Sequence, residues 1–184
     1  PEYYQTRTEI AILDRVAEAI AAQVQPYEIV ELGAGAGRKI HTMLDACTTT
    51  RLLTLLDVNA VFLDDAARKV REAHKTVGVR SVVGDFTRDL DRLGPPPSVR
   101  LVVFFAGTVG NLHPSTRPDF FSRVAQMLDA GGALLLGVDL VKGADVLERA
   151  YDDDAGVTAA FNRNALNHLN AVADADFDLA GFDH

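Results

Sequence analysis

Cysteine is almost absent from this sequence. Cys47 is the single cysteine among 184 residues, so no disulfide can form within the chain. Because disulfides are rare in reducing compartments, we expect a cytoplasmic protein. Cys47 also stands alone as a potential metal ligand, and the five histidines lack the spacing of metal ligands. The sequence therefore predicts no metal site.

Long apolar runs and an excess of basic residues are also missing. No hydrophobic stretch approaches the roughly 20 residues that a membrane-spanning helix requires. Lys and Arg number 18 against 26 Asp and Glu, which gives a formal net charge of -8. A surface of that sign offers no general attraction to DNA, RNA or anionic lipid. We expect a monomer that acts on a small molecule, without a nucleic-acid or membrane partner.

The sequence begins at Pro1 rather than at a methionine, and it has no signal peptide. We interpret it as part of a longer protein, although its length suits one domain with a full-sized core. Residues 1–149 are predicted to form a cofactor-binding core. Residues 150–184 are predicted to form a helical segment that covers the substrate site and begins a second domain.

Apolar strands alternate with helices along most of the chain. Apolar residues from Ile10 to Val24 recur at three- and four-residue steps, which predicts a helix capped by Thr8. Strands are predicted at 27–32, 51–57, 79–83, 99–105 and 133–138, and further helices at 38–47, 59–75, 114–128 and 157–172. Such alternation is typical of a parallel sheet with helices on both faces. We therefore predict a Rossmann-like α/β fold whose ligands bind at the carboxyl edge of the sheet.

A glycine-rich turn follows the first predicted strand. Residues 31–37 read ELGAGAG, with glycines at 33, 35 and 37. Glycine lets the backbone turn tightly and approach a ligand closely. The NAD fingerprint G-x-G-x-x-G requires a third glycine where this chain has Arg38. The turn thus disfavours an NAD-dependent dehydrogenase, while a purely structural turn stays open.

Acidic residues end the second and third predicted strands. Asp57 can accept hydrogen bonds from both hydroxyls of a ribose. Asp85 and Phe86 together suit an adenine, because the carboxylate accepts from its exocyclic amine and the ring forms an apolar wall. A capping acid and a core phenylalanine are the alternatives. The glycine-rich turn is the third such feature. Because the turn, Asp57 and the Asp85–Phe86 pair follow one another in this order, we expect S-adenosylmethionine, a methyl donor, as the cofactor.

Several longer motifs make the sequence similar to a known family. The chain resembles the histidine-specific Nα-methyltransferases of ergothioneine biosynthesis, which are SAM-dependent and convert L-histidine to hercynine by trimethylation. The motifs are PEYY at 1–4, TRTE at 6–9, ELG at 31–33 with Lys39, GDF at 84–86, GTVGNL at 107–112, LGVDLVK at 136–142, AYDD at 150–153 and GVTAAFN at 156–162. The resemblance covers essentially the whole chain.

The resemblance implies a set of donor-binding residues. Gly33, Lys39, Asp57 and Asp85 match the family's donor-binding positions, with Lys39 pairing with the donor's carboxylate and Phe86 flanking the adenine. The turn lacks the Ser or Thr that the family usually has there. Taken without the resemblance, Lys39 is better interpreted as a solvated helix lysine.

The resemblance also implies a grip on the substrate's amino-acid head group. Asn111, Tyr3 and Tyr151 match the asparagine and the two tyrosines that bind and position it. Taken alone, Asn111 is a turn former and each tyrosine a half-buried aromatic. An N-methyltransferase for another amine, such as a tryptophan derivative, and a non-catalytic SAM-binding fragment are the alternative functions.

Overall fold

A five-stranded parallel sheet forms the centre of the protein, in a computed structural model that describes residues 4–182. The strands are β1 (Glu28–Leu32), β2 (Leu52–Asp57), β3 (Gly78–Val83), β4 (Arg100–Phe104) and β5 (Ala133–Leu136). Their order across the sheet is β3-β2-β1-β4-β5, and every neighbouring pair is parallel. The predicted fold class is confirmed. The strand order changes direction at β1 and β4, which is where ligands bind in sheets of this type.

Helices connect most of the strands. The α-helices are α1 (Tyr4–Val24), α2 (Ile40–Ala46), α3 (Ala60–Ala73), α4 (Arg117–Gln126), α5 (Ala144–Tyr151) and α6 (Val157–Ala173). Short 3-10 helices lie at Leu90–Leu93, Thr108–Asn111 and Leu179–Gly181. Asn59 caps α3 as its position suggests, because its side chain accepts hydrogen bonds from the Val61 and Phe62 amides.

Two hydrophobic cores cover the two faces of the sheet. Alternate strand residues point to opposite faces, so Ile29 joins one core and its neighbour Val30 the other. The first core includes Leu13 and Ala17 of α1, Ile40 and Met43 of α2, and Leu63, Ala66 and Val70 of α3. The second includes Leu90, Leu93, Leu112, Phe120 and Val124. The central strands are thereby buried between two helical layers.

A buried ion pair joins β1 to β4 at the amino ends of these strands. Glu28 and Arg100 are register partners and each is 1% exposed. The Arg100 Nε donates to Glu28 Oε2 at 2.8 Å, and Thr54 Oγ1 donates to Glu28 Oε1 at 2.8 Å. Arg100 also donates to the carbonyl oxygens of Gly94 and Met127. This network fastens the sheet at the edge opposite to its carboxyl ends.

The structure corrects two details of the sequence-based prediction. Thr8 does not cap α1, because the helix begins at Tyr4 and Thr8 lies within its second turn. The residues before Thr8 include no glycine and no proline within the helix, so nothing stops it there. The short helix α5 was not predicted, since its eight residues give too brief a pattern to register.

The chain divides into two compact units. Thr8–Asp139 forms one, and it contains the sheet and both cores. Residues 4–7 and 140–182 belong to the other. In this second unit the Asp153 carboxylate accepts hydrogen bonds from the Val157 and Thr158 amides in the first turn of α6. The predicted role of 150–184 as a cover over the substrate site stays a prediction. Within the described part of the chain, no helix has the length and apolarity to cross a membrane.

Candidate functional site at the carboxyl edge of the sheet

The glycine-rich turn leaves β1 in a conformation that favours glycine. Gly33, Gly35 and Gly37 have φ values of 68°, 50° and 63°, a region that costs other residues energy. Gly37 has a second reason to be glycine. A Cβ at this position would lie 2.9 Å from the Cβ of Ala66 in α3, so the turn packs too closely against that helix for any side chain.

Asp57 ties the turn to the end of β2. Its Oδ2 accepts a hydrogen bond from the Gly35 amide at 2.8 Å, and its Oδ1 accepts from the Asn59 amide at 2.9 Å. Its carbonyl oxygen accepts from the Gly84 amide at 2.9 Å, which joins the end of β3 to the same edge. Each carboxylate oxygen has a further lone pair, so the side chain retains capacity to accept from a ligand.

Phe86 lies beside the turn, next to the predicted adenine-binding acid. A Cβ on Gly33 would be 3.7 Å from Phe86 Cε1, which is ordinary contact distance. The ring of Phe86 packs edge-on against Phe104, with centroids 5.0 Å apart, and is partly exposed. Hydrogen bonds from the Thr87 side chain and amide lower the pKa of the Asp85 carboxyl below its usual range. Asp85 is thus an ionised acceptor at neutral pH.

Lys39 forms an ion pair with Glu9, a residue that was not among the predicted site residues. Their side chains are 12% and 17% exposed, and the ammonium also lies 5.5 Å from the centroid of the Phe105 ring. The Glu9 carboxylate accepts from the Ala106 amide, with Oε1 and Oε2 at 2.9 and 3.0 Å. The lysine predicted to bind a carboxylate therefore has a carboxylate of its own chain beside it.

Glu31, the last-but-one residue of β1, is the most perturbed acid at this edge. It is 4% exposed, and its Oε2 has no hydrogen-bond partner among residues 4–182. Burial raises the pKa of the Glu31 carboxyl from 4.5 to about 8, while nearby Lys39 lowers it and the charges of Asp57 and Glu9 raise it. The turn is thus backed by a carboxyl group that is largely protonated at neutral pH.

The predicted substrate-binding residues are distributed over different parts of the chain. Asn111 ends the 3-10 helix that follows β4, and its side chain is exposed. It therefore lies at the same sheet edge as the turn, because β4 is the parallel neighbour of β1. Tyr151 ends α5 in the second unit and is 49% exposed. Tyr3 lies outside the described residues. The sheet thus gathers the donor-binding candidates and Asn111 at one edge.

The fold matches that of known methyltransferases. A crystal structure of the S-adenosylmethionine-dependent methyltransferase SibL superposes with a TM-score of 0.56 at 19% sequence identity, covering 75% of this chain and 40% of that one. The architecture is therefore the SAM-dependent methyltransferase fold. The turn, Asp57 and Phe86 lie at the carboxyl edge of this sheet.

The chain belongs to the family of histidine-specific, SAM-dependent methyltransferases, whose model matches residues 1–184. It is 44% identical to a histidine N-alpha-methyltransferase of Mycolicibacterium smegmatis over 187 aligned residues, covering 100% of this chain and 58% of that protein. It is 30% identical to ergothioneine biosynthesis protein 1 of Schizosaccharomyces pombe, covering 93% of this chain and 24% of that one. The resemblance inferred from the motifs is confirmed. The chain spans little more than half the length of the bacterial relative.

The residues at the edge fit a cationic nucleoside such as S-adenosylmethionine. The unpartnered Oε2 of Glu31 leaves one buried acceptor unused beside the turn. Glu9 and Asp57 outnumber Lys39 there, so this edge favours a positively charged ligand. Within residues 4–182 no group of three or more His, Cys, Asp or Glu side chains is arranged to hold a metal ion.

Proposed function

We propose that this protein transfers methyl groups from S-adenosylmethionine to the α-amine of L-histidine, giving hercynine. The proposal is supported above all by one observation: a chain of the histidine-specific family carries its turn, Asp57 and Phe86 at one edge of the sheet. Hydrogen bonds and packing already fix these groups relative to one another, so little ordering is left for the cofactor to induce.

In this proposal the first three strands hold the cofactor. Gly33 allows its close approach, Asp57 accepts from the ribose hydroxyls, and Asp85 accepts from the adenine amine beside the ring of Phe86. Lys39 binds the carboxylate of its amino-acid end. The bound cofactor supplies an electrophilic methyl group on a sulfonium.

Asn111, Tyr3 and Tyr151 would hold the amino-acid head group of histidine. The Asn111 amide both donates and accepts, so it can bind the α-amine and α-carboxylate together. Tyrosine hydroxyls can hold a carboxylate without adding a second cation near the sulfonium. The α-amine must be neutral when it attacks, and Tyr3 or water accepts its proton.

The cofactor and the acceptor are tested separately. Titration calorimetry should show binding of S-adenosylhomocysteine and none of NADH, whereas the reverse would indicate a dehydrogenase. Turnover assays should show methylation of L-histidine in preference to tryptophan derivatives. Preference for a tryptophan derivative would assign the acceptor to another amine, and donor binding without methylation of either would indicate a non-catalytic module.

Replacing Asn111 with alanine tests the substrate end of the site. Losing an amide that bonds a charged head group should raise the KM for histidine roughly 10- to 100-fold. The Kd for S-adenosylhomocysteine should not change. Gln126→Ala is the matched control, because it removes an exposed amide at the end of α4 and should leave both constants unchanged. Unchanged kinetics for Asn111→Ala would show that Asn111 does not bind the head group of the substrate.

A cytoplasmic monomer without a nucleic-acid or membrane partner also stays a prediction. Size-exclusion chromatography with light scattering measures the mass, and an oligomer would contradict the prediction. Retention on DNA or on anionic vesicles would contradict the expectation from the net charge of -8.

A further inference from the structure

Glu9 reaches from α1 to the carboxyl ends of β1 and β4. Its carboxylate meets Lys39, which follows the turn after β1, and the amide of Ala106, which follows β4. Thirty residues separate Glu9 from Lys39 in the sequence, and 97 separate it from Ala106. The fold therefore brings this acid to the same edge as the proposed cofactor site, although α1 precedes the whole sheet.

The backbone around Glu9 is adapted to receive its carboxylate. Ala106 has a φ of 66°, a conformation that non-glycine residues seldom adopt, and its amide points at the Glu9 oxygens. Gly137 follows β5 and does not have a positive φ, so its backbone conformation does not explain why this residue is glycine. A Cβ there would overlap Glu9 Oε1. The absent side chain at Gly137 thus provides the space that the carboxylate fills.

The Glu9–Lys39 pair presents one negative and one positive group side by side. An α-amino acid carries the complementary arrangement, an ammonium next to a carboxylate. When Lys39 turns to a ligand carboxylate, Glu9 loses its ion-pair partner but keeps the Ala106 amide. Glu9 then lacks a cationic partner, and a ligand ammonium beside the ligand carboxylate takes the place of Lys39.

We propose that Glu9 is a binding residue for the amino-acid end of the methyl donor, taking its α-ammonium while Lys39 takes its α-carboxylate. The internal ion pair opens and is replaced by two ion pairs to the ligand. This inference rests on the proposed function, since it assumes that S-adenosylmethionine binds at this edge.

Two thioether compounds distinguish binding of the donor's amino-acid end from binding of its nucleoside end. S-adenosylhomocysteine has both ends, whereas 5′-methylthioadenosine lacks the amino-acid group. Calorimetric titration of Glu9→Gln should show S-adenosylhomocysteine binding roughly 10- to 100-fold more weakly than wild type, the effect of one charge-assisted hydrogen bond. The Kd for 5′-methylthioadenosine should be unchanged. Glu18→Gln, an exposed glutamate on the same helix, is the control and should bind both ligands like wild type.

Gly137→Ala gives an independent test, because its new methyl group displaces the Glu9 carboxylate without removing it. It should reproduce the selective loss seen with Glu9→Gln. Equal weakening of both thioethers would mean that Glu9 only supports the structure, and tighter S-adenosylhomocysteine binding would mean that it only blocks Lys39. Either result, or no change, overturns the inference while leaving the proposed function intact. If wild type binds neither thioether, the proposed function fails as well.

Discussion

Glu31 is a buried acid at the end of β1, and its protonation couples stability to pH. Its folded-state pKa of about 8 lies above the ordinary value of 4.5. Between these values the folded state retains a proton that the unfolded state releases. The stabilisation associated with that proton is therefore complete below pH 4.5 and is lost as the pH rises to about 8.

Glu31→Gln replaces the titrating carboxyl with an amide that does not titrate, so the proton no longer affects stability. The melting temperature of the variant should rise relative to wild type as the pH increases from 5 to 8. The difference in melting temperature between the variant and wild type should grow by at least roughly 2–4 °C, since about 1 kcal/mol shifts the melting temperature by that much in a chain of this size. Thermal melts of both proteins without ligand measure the gap. Gln126→Ala, which removes no ionisable group and is exposed on α4, should differ from wild type by the same amount at every pH. If the Glu31→Gln and wild-type melting temperatures run in parallel, the prediction is contradicted.

The site residues differ in how far sequence could predict them. Gly33, Asp57 and Phe86 could be placed because each lies at or just after the end of a strand, and parallel strands end at one edge. Glu9 could not, since its position at this edge depends on how α1 packs near the ends of β4 and β5. The available signal was indirect: it ends the TRTE motif, and an otherwise unexplained glycine occurs at 137.

The turn between β1 and α2 is predicted to tolerate alanine unequally. Gly35 and Gly37 both have positive φ, but a Cβ at Gly35 meets nothing within 4 Å, whereas one at Gly37 overlaps Ala66. Gly35→Ala should cost only the conformational strain, about 1–2 kcal/mol. Gly37→Ala should cost about 1–3 kcal/mol more from overpacking.

Urea denaturation of the two variants measures the difference in the free energy of unfolding. The double variant Gly37→Ala/Ala66→Gly relieves the overlap and should recover part of the loss. Equal costs for the two single variants would show that α3 moves aside freely.

The β1–β4 pairing depends on the buried Glu28–Arg100 pair. Arg100→Met leaves the Glu28 carboxylate buried without its cation, which should cost about 3–5 kcal/mol. Adding Glu28→Gln removes the buried, unpaired negative charge, so the double variant should be more stable than Arg100→Met alone. Urea denaturation of the four proteins gives the coupling energy. A cost below about 1 kcal/mol for Arg100→Met would contradict a role in fastening the sheet.

The strands were predictable to within about two residues because their apolar runs are bounded by turn residues. Helix ends were less so. The predicted helix at 114–128 is shorter in the structure, Arg117–Gln126. His113, Ser115 and Thr116 instead form side-chain hydrogen bonds in the loop before it, as such residues often do. The spacing of apolar residues does not reveal that such side-chain hydrogen bonds compete with the helix.

At the scale of the whole molecule, burial is concentrated in the unit Thr8–Asp139. Every buried residue of the described chain lies in it, and none lies from Leu140 to Phe182. Amide hydrogen exchange should therefore be slowest in β1, β2 and β4, and fastest in α5 and α6. Mass spectrometry of peptides after deuterium exchange tests this order. Protection of α6 equal to that of β4 would contradict it.

Asp57 has a consequence for how related sequences are interpreted. Its two carboxylate oxygens already accept hydrogen bonds from the amides of Gly35 and Asn59, so this acid also holds the turn of its own chain. A family member without methyltransferase activity would still be under pressure to retain it. The acid at the end of β2 is therefore a marker of ancestry, and a search for active members would do better to weigh residues that the backbone does not itself require, such as Asn111.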